Sequence, residues 1–540
     1  MNLAQDNRET ATARDYVEAV VRRAREPMPP FGFEPDWGDQ PYRHKVYTEA
    51  DHLPLPRDGK PVGPLATGLT PARDAAPEFD LPTLSGMLAD SYGLGVRRMG
   101  VNGNKDNEGR TWYGAATWAR GTASGGGLYP LEIYLVAGRG APVTPGVYHY
   151  YTPRHTLRRL LAGDLTGRVR DALDAAGDST GASTANCYLL ISVKLWKNAF
   201  KYNSFSYHAV TMDVGTLLGG WQTWARARGL GLTPRLWYDE EALDRLLGLE
   251  TAAEGVMAVV PVELRDRPGA PASPPVLRGE PAVARTELER SRTLIRFDQV
   301  ESVHLAAAAA GAAPPPDAAE AAFAIPAADD VGSIRLPAPA SLDMDVRTAV
   351  RRRRSSFGRF SARRRLAADK LSALLHHGTE GGRLQTAEVR QGRHGLHRIA
   401  VFANHVDGVP SGAYDFTPDG GLHPITGDPL SPFLQQQYFL DNYNLEQAAA
   451  VLAVIGRPTA AVEALGARGY RLANADVGAL AQAFYTCAAA LGVGCGAALG
   501  FDNVSLRDRG GLAAGDEWPM LIVMVGHERE RSAELDLRMA

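Results

Sequence analysis

Cysteine is nearly missing from this chain. Its 540 residues carry three, Cys187, Cys487 and Cys495, too scattered for a disulfide framework or a paired metal-ligand spacing; a reducing, cytoplasmic setting fits. No apolar run reaches the roughly 18 residues of a membrane span. The opening residues, Met1 to Thr10, lack the apolar core of a signal peptide. Excess charge of one sign is also lacking: 58 Lys and Arg against 61 Asp and Glu leave a net charge of −3. With no basic excess to neutralise phosphates, nucleic acid is not an expected partner. No Gly-x-Gly-x-x-Gly fingerprint follows a strand-like run, no paired carboxylates stand out, and His149, His208, His376 and His377 have no metal-ligand spacing.

What is present is the composition of a globular protein, 45% hydrophobic and 22% charged, long enough for several domains. Residues 1–80 read as an arm: a helix near Ala11–Arg25, then turn formers and aromatics around Trp37-Gly-Asp-Gln-Pro and Lys45-Val-Tyr47. A first body covers 81–265. It holds a helix at Leu81–Tyr92, strands at Leu131–Val136, Gly146–Tyr151 and Cys187–Leu195, a helix at Val214–Arg228 and an apolar run at Gly255–Leu264. Residues 266–340 are rich in Pro and Ala and read as a partly packed linker. A second body covers 341–540. It has helices at Asp343–Arg354, capped by Ser341 or Asp343, at Leu366–His377 and at Val477–Leu491. Its strands are expected at Arg398–Asn404, Gly412–Phe416, Ala449–Ile455 and Pro519–Val525.

The two bodies repeat one another. Asp213-Val-Gly215 precedes Gly229-Leu-Gly231 across an Ala/Leu/aromatic helix, and Asp476-Val-Gly478 precedes Gly492-Val-Gly494 at the same separation. Pro145-Gly-Val-Tyr148 pairs with Pro410-Ser-Gly-Ala-Tyr414, and Gly127-Leu128 with Gly395-Leu396. An internal duplication follows, and two copies of one fold in one chain would mimic a twofold dimer. The recurring Asp213 and Asp476 read as structural residues, most simply helix N-caps.

Two stretches carry chemistry. Arg120-Gly-Thr-Ala-Ser124-Gly125-Gly126-Gly127-Leu128-Tyr-Pro130 is a glycine-rich turn entering a strand; such turns can present backbone N–H groups to a ligand or be plain tight turns. Arg351-Arg-Arg353-Arg354-Ser355 ends the first helix of the second body. A solvated basic surface is one reading and a phosphate clamp the other, since arginine forks bind phosphate oxygens and a serine hydroxyl adds a donor.

Arg-Arg-Ser followed by a Leu-rich helix resembles the flavin-phosphate motif of nitroreductase-like flavoproteins. Arg529 and Arg531 after the last strand match the two basic residues with which that family closes on the same phosphate. Arg120 to Pro130, with Pro145-Gly-Val-Tyr-His-Tyr, looks like the azoline dehydrogenases of the SagB/McbC type, and Lys201-Tyr202 stands where these carry a Lys-Tyr pair implicated in catalysis. The arm is similar to that of longer, two-copy members associated with thiopeptide-like products. The resemblance implies an α+β fold of two nitroreductase-like domains forming an intramolecular pseudo-dimer, with further oligomerisation left open.

It also implies FMN, oxidation of thiazolines or oxazolines in a ribosomally made peptide with O2 as terminal acceptor, a precursor peptide and a cyclodehydratase as partners, and Lys201 and Tyr202 as catalytic residues. The first body keeps Ser124, Gly125, Gly126, Leu128 and Lys201-Tyr202. The second keeps Arg353, Arg354, Ser355, a loop with Gly494, Cys495 and Gly496, and Arg529/Arg531; its copy of the glycine turn has decayed to Arg390-Gln-Gly-Arg-His-Gly-Leu, and Leu465-Gly-Ala-Arg468 replaces Lys-Tyr. One composite flavin site and one dead pseudo-site are expected, with Ser124–Leu128 beside residues more than two hundred positions later. Cys495 is expected to pack rather than do thiol chemistry. A generic flavin reductase of small molecules and a non-catalytic scaffold subunit are the alternative readings.

Overall fold

Two long helices, Ser206–Arg226 and Arg468–Leu491, cross at the centre of the molecule and are buried along nearly their whole length. The structure is a computed structural model and describes residues 3–71, 78–105, 110–177, 185–264, 281–309, 311–315, 318, 332–388, 395–512, 515–529 and 536–538. The crossing brings backbone onto backbone. A Cβ on Gly215 would stand 1.7 Å from the Ala475 carbonyl oxygen, and one on Gly478 would stand 1.9 Å from that of Met212. The glycine of each Asp-Val-Gly repeat is therefore the contact point between the halves.

Each helix packs on its own seven-stranded sheet. The first runs, edge to edge, His52–Pro54, Thr156–Ala162, Gly146–Tyr151, Leu131–Ala137, Cys187–Lys194, Glu254–Leu264 and Glu78–Phe79. The second runs Ile334–Arg335, Gly421–Thr426, Gly412–Phe416, Arg398–Ala403, Ala450–Gly456, Trp518–Gly526 and Gly494–Ala498. The five inner strands follow the same order in both, and all pairings are antiparallel except Glu78–Phe79 on Glu263–Leu264. Side chains alternate between two faces. Ile133, Leu135, Val401 and Leu452 enter one core shared by both halves, whereas Tyr134, Val136, Phe402 and Val451 enter two separate outer cores. The fold is thus α+β, two copies in one chain closed into an intramolecular pseudo-dimer.

Several elements depart from expectation. The central helices begin at Ser206 and Arg468, so Asp213 and Asp476 lie well inside them and cap nothing. The Val346–Arg352 helix is capped by Asp345, whose carboxylate accepts the Thr348 N–H at 3.0 Å, rather than by Ser341 or Asp343. Gly494–Ala498, expected as a loop, is an edge strand registered on Trp518–Gly526 through Cys495↔Val525. A hairpin, Val96–Lys105 with Arg110–Ala119, takes Asp536–Arg538 as its third strand. In the linker, Asp298–Ala308 is a helix with Val303, His304 and Ala307 buried. Arm and linker pair with each other through Tyr47↔Glu287 and Leu288 N–H to the Val46 carbonyl at 2.8 Å. The buried Lys45 joins them to the sheet, 2.6 Å from Glu254 and 3.3 Å from Glu287.

Candidate functional site

The glycine turn hangs from one carboxylate. Ser124 Oγ donates to Asp213 Oδ2 at 2.6 Å, the Gly125 N–H donates to Oδ1 at 2.8 Å, and the Tyr129 N–H returns to Ser124 Oγ at 2.9 Å. Asp213 takes these bonds from inside the central helix, which is why it recurs in the sequence. In the other half Asp476 accepts from His397 Nδ1 at 2.8 Å and from the Leu384 N–H at 2.9 Å. Burial pushes the Asp213 carboxyl up to about 7, against the bonds from Ser124 and Gly125. Gly126 and Gly127 adopt left-handed backbone at φ 64° and 66°, which favours glycine. Leu128 closes the turn with its N–H 3.4 Å from the Gly125 carbonyl. At the root of the turn the Arg120 guanidinium lies 4.0 Å from the Tyr92 ring and 4.6 Å from that of Tyr129.

Lys201 and Tyr202 end the short Trp196–Tyr202 helix beside this turn. A Cβ on Gly126 would strike Tyr202 Oη at 2.4 Å, so the phenol rests directly on the turn. Lys201 Nζ is 4.8 Å from the Tyr202 ring centre and 5.8 Å from that of Trp37. The arm delivers Trp37 in a turn capped by Asp36, edge-on to Phe200 at 5.4 Å.

One helical turn before Lys201 is Lys197, absent from the sequence reading. It is buried and pairs with Glu132 at 2.6 Å; His149 holds the other oxygen at 2.8 Å. Burial opposes charge on Glu132, yet Lys197 and His149 hold its carboxyl well below the usual carboxylate range. Spacing cannot separate this lysine from Lys194 or Lys201; only burial does. The neighbouring Asn198 is fully buried, and neither its amide nitrogen nor its oxygen has a hydrogen-bond partner. Its Nδ2 lies 3.8 Å from the position of a Cβ on Gly125.

In the second half, Arg353 points at the glycine turn of the first. Its Nε donates to the Gly121 carbonyl at 2.7 Å, and its Nη2 to those of Arg120 at 2.8 Å and Thr122 at 2.7 Å. This guanidinium, expected on a phosphate, thus secures the turn's root. Arg354 pairs with Glu528 at 2.6 Å. Ser355 Oγ is 2.8 Å from Tyr485 Oη, which accepts the Ala497 N–H at 2.9 Å. Ser355 bridges to Cys495 as in a parallel sheet, and the Cys495 N–H donates to Ser356 Oγ at 2.9 Å. Gly496 lies under Tyr443, 2.3 Å from a would-be Cβ, and Gly494 lies under Ser356 and Glu528. Burial pushes the Cys495 thiol up, in keeping with packing rather than thiolate chemistry. The Arg529 N–H donates to the Arg359 carbonyl at 2.7 Å and its Nε to that of Phe360 at 3.3 Å. Arg531 lies outside the described residues.

The two sets meet across the seam between the halves. Gln482 accepts the Ala123 N–H at 2.9 Å and donates to the Gly121 carbonyl at 3.0 Å. Contacts to residues far along the chain thus gather at Arg120–Ala123, just before the expected Ser124–Leu128. Burial first, then the phenols of Tyr202 and Tyr485, push the Tyr438 hydroxyl up.

In the pseudo-symmetric region the counterparts of Lys201-Tyr202 are packed into the protein. Leu465 there is buried, and Arg468 donates to the Ala307 carbonyl at 2.8 Å and the Tyr238 carbonyl at 2.9 Å. Arg471 reaches Glu240 at 2.5 Å and His304 at 2.8 Å. Residues 390–394 of the decayed turn lie outside the described residues; Gly395 and Leu396 precede the Arg398–Ala403 strand. Among the described residues no His/Cys/Asp/Glu group could hold a metal, and no helix is long and apolar enough to cross a membrane.

Fold and site define a protein of two like α+β halves with residues of both gathered at an internal seam. The sequence matches the Nitroreductase family at residues 115–262 and 350–527, more than half of the chain, and the chain belongs to that family of flavoproteins and oxidoreductases. A candidate nitroreductase of Anabaena variabilis has a similar fold at 20% identity, with a TM-score of 0.68, covering 96% of this chain and 99% of that one. A second candidate nitroreductase, from Ralstonia eutropha, matches at 20% identity over 44% of this chain and 100% of its own, TM-score 0.29. A chain of the E. coli microcin synthetase McbBCD complex with truncated pro-MccB17 bound matches at 16% identity over 49% of this chain and 98% of its own, TM-score 0.28. No curated protein matches the sequence.

Proposed function

We propose that the chain is an FMN-dependent azoline dehydrogenase that converts thiazolines or oxazolines of a ribosomally made, thiopeptide-like peptide into thiazoles or oxazoles. The observation that carries this reading is the seat of Tyr202 on Gly126 with Lys201 beside its ring, on a turn whose root is bonded by Arg353 and Gln482 of the other half. A precursor peptide is the substrate, and a cyclodehydratase that forms the azolines is the implied partner.

The residues present fit a flavin. Asn198 buries an amide with no partner beside the glycine turn, and nothing stands within 4 Å of a Cβ built on Gly127. A buried amide left unpaired costs about 1–3 kcal/mol, so polar recognition at this wall is a reasonable use of it. Arg354, Ser355 and Arg529 would hold the phosphate. Ser124 to Leu128 and Gly494, Cys495 and Gly496 would border the ring system, while Arg353 keeps the turn in place. Bound FMN supplies hydride acceptance at N5, with O2 as the terminal acceptor.

Oxidising the heterocycle removes one proton and one hydride from adjacent ring carbons and leaves a double bond. Lys201 Nζ takes the proton; Tyr202 orients the ring and sets the lysine's position from its seat on Gly126. Direct reduction of a nitro compound or quinone calls for no such base. The test is purified protein assayed for bound flavin and, by mass, for loss of two hydrogens per ring on an azoline-bearing peptide. Lys201→Ala should keep the flavin and lose at least about 100-fold in turnover; full activity in that variant would refute the assignment.

A further inference from the structure

We propose that Glu528 is a built-in counter-anion that occupies the phosphate-binding arginine and sets how strongly the phosphate end of the cofactor is held. This rests on the flavin reading above and concerns a residue that reading does not use.

Three segments converge at the proposed phosphate end. Residues 354–361 run beside 527–529 through the Phe360↔Glu528 bridge, the Ser361 N–H to the His527 carbonyl at 2.9 Å and the Arg529 N–H to the Arg359 carbonyl at 2.7 Å. The edge strand Gly494–Ala498 joins them through Ser355↔Cys495. The backbones of Arg359 and Arg529 are thereby bonded to each other, and the carboxylate of Glu528, between them and the Ser355 strand edge, pairs with Arg354.

Its place is specific. Glu528 Oε2 is 2.6 Å from Arg354 Nη2, with the two side chains 14% and 25% exposed. Its Cγ lies 2.8 Å from where a Cβ on Gly494 would be, beside Ser356 Oγ at 2.6 Å from the same point. The Glu528 side chain therefore lies across the glycine strand, at the edge where Ser355 is docked. A guanidinium fork accepts a carboxylate and a phosphate in the same manner, so a phosphate monoester and Glu528 compete for Arg354. The dianion carries more charge and more acceptor oxygens than the carboxylate and displaces it at a cost in affinity. Without a phosphate, Glu528 keeps Arg354 paired.

The experiment titrates FMN and riboflavin, which differ only in the phosphate, into cofactor-stripped wild type, Glu528→Gln and Arg354→Gln, following quenching of flavin fluorescence. Wild type should prefer FMN. Glu528→Gln should widen the FMN-to-riboflavin preference by about 10-fold, the scale of one screened charge pair, with riboflavin affinity unchanged; Arg354→Gln should nearly abolish it. Glu528→Asp, a shorter carboxylate drawn back from Arg354, should widen it less and serves if the Gln variant does not fold. An unchanged or narrowed preference in the Glu528 variants, with wild type binding FMN, overturns the inference alone. Failure of wild type to bind either flavin overturns the flavin reading and this inference with it.

Discussion

Asp213 offers a measurement that tests the core of the site without substrate or cofactor. Its carboxyl is pushed up to about 7 by burial, whereas an unfolded aspartate titrates near about 3.9. Between these values the folded state binds a proton that the unfolded state does not, so stability falls as pH rises. The contribution is fully present below about pH 4 and lost once pH has passed through about 7. A shift of about three units is worth about 4 kcal/mol over the whole window, or about 1.4 kcal/mol per pH unit within it. Other groups titrate in the same range, so the informative quantity is a difference between wild type and Asp213→Asn. The amide matches a protonated carboxyl in shape, can still accept from Ser124 or Gly125, and has no charge to lose. Chemical denaturation followed by tryptophan fluorescence at several pH values from 5 to 8 should find the variant gaining on wild type by about 1 kcal/mol per pH unit and then levelling off. A difference that stays flat across this range would refute the reasoning. It would mean that Asp213 stays charged, with a further donor turned onto it, and the buried Asn198 amide nearby is the group that could do so.

Gly126→Ala puts a side chain on left-handed backbone and 2.4 Å from Tyr202 Oη; turnover on an azoline peptide should fall more than 10-fold while the melting temperature drops only a few degrees. Gly478→Ala forces a methyl to 1.9 Å from the Met212 carbonyl oxygen at the crossing of the two central helices. It should cost at least about 3 kcal/mol by denaturation or abolish soluble expression, and a variant as stable as wild type would contradict the crossing. Because buried Arg468 is bonded to the Ala307 and Tyr238 carbonyls where the first half carries Lys201-Tyr202, flavin titration should saturate at one per chain; two equivalents bound with similar affinity would refute a single composite site.

The duplication was legible in the sequence because its two markers answer to strict geometry. The glycine of Asp-Val-Gly must admit a carbonyl from the opposing helix, and the aspartate must hold the segment entering a central strand. Periodicity also exposed four of the five inner strands of each sheet, whose residues alternate between a shared core and an outer one, but not Thr156–Ala162 or Gly421–Thr426. The central helices were foreseen too short, because Asp213 and Asp476 themselves read as N-caps until their partners are known. The hairpin at 96–119 escaped notice because Gly100 and Gly103 interrupt its pattern, with register shifts in that stretch.

The sequence by itself determined the ingredients: two copies of one α+β unit, a glycine turn and a Lys-Tyr pair retained in the first copy, and an arginine-serine cluster retained in the second. Only the tertiary structure decided how they are used. Whether an arginine faces a ligand or a carbonyl depends on which chain segment passes within hydrogen-bond reach, and that segment comes from the other half. Arg353 therefore serves the Arg120–Thr122 carbonyls, and Arg354 meets Glu528. Burial likewise separates Lys197 from Lys201, four residues apart on one helix, and brings the linker helix over the pseudo-symmetric half. These are contacts between residues far apart in the chain, made only when the two halves close on each other.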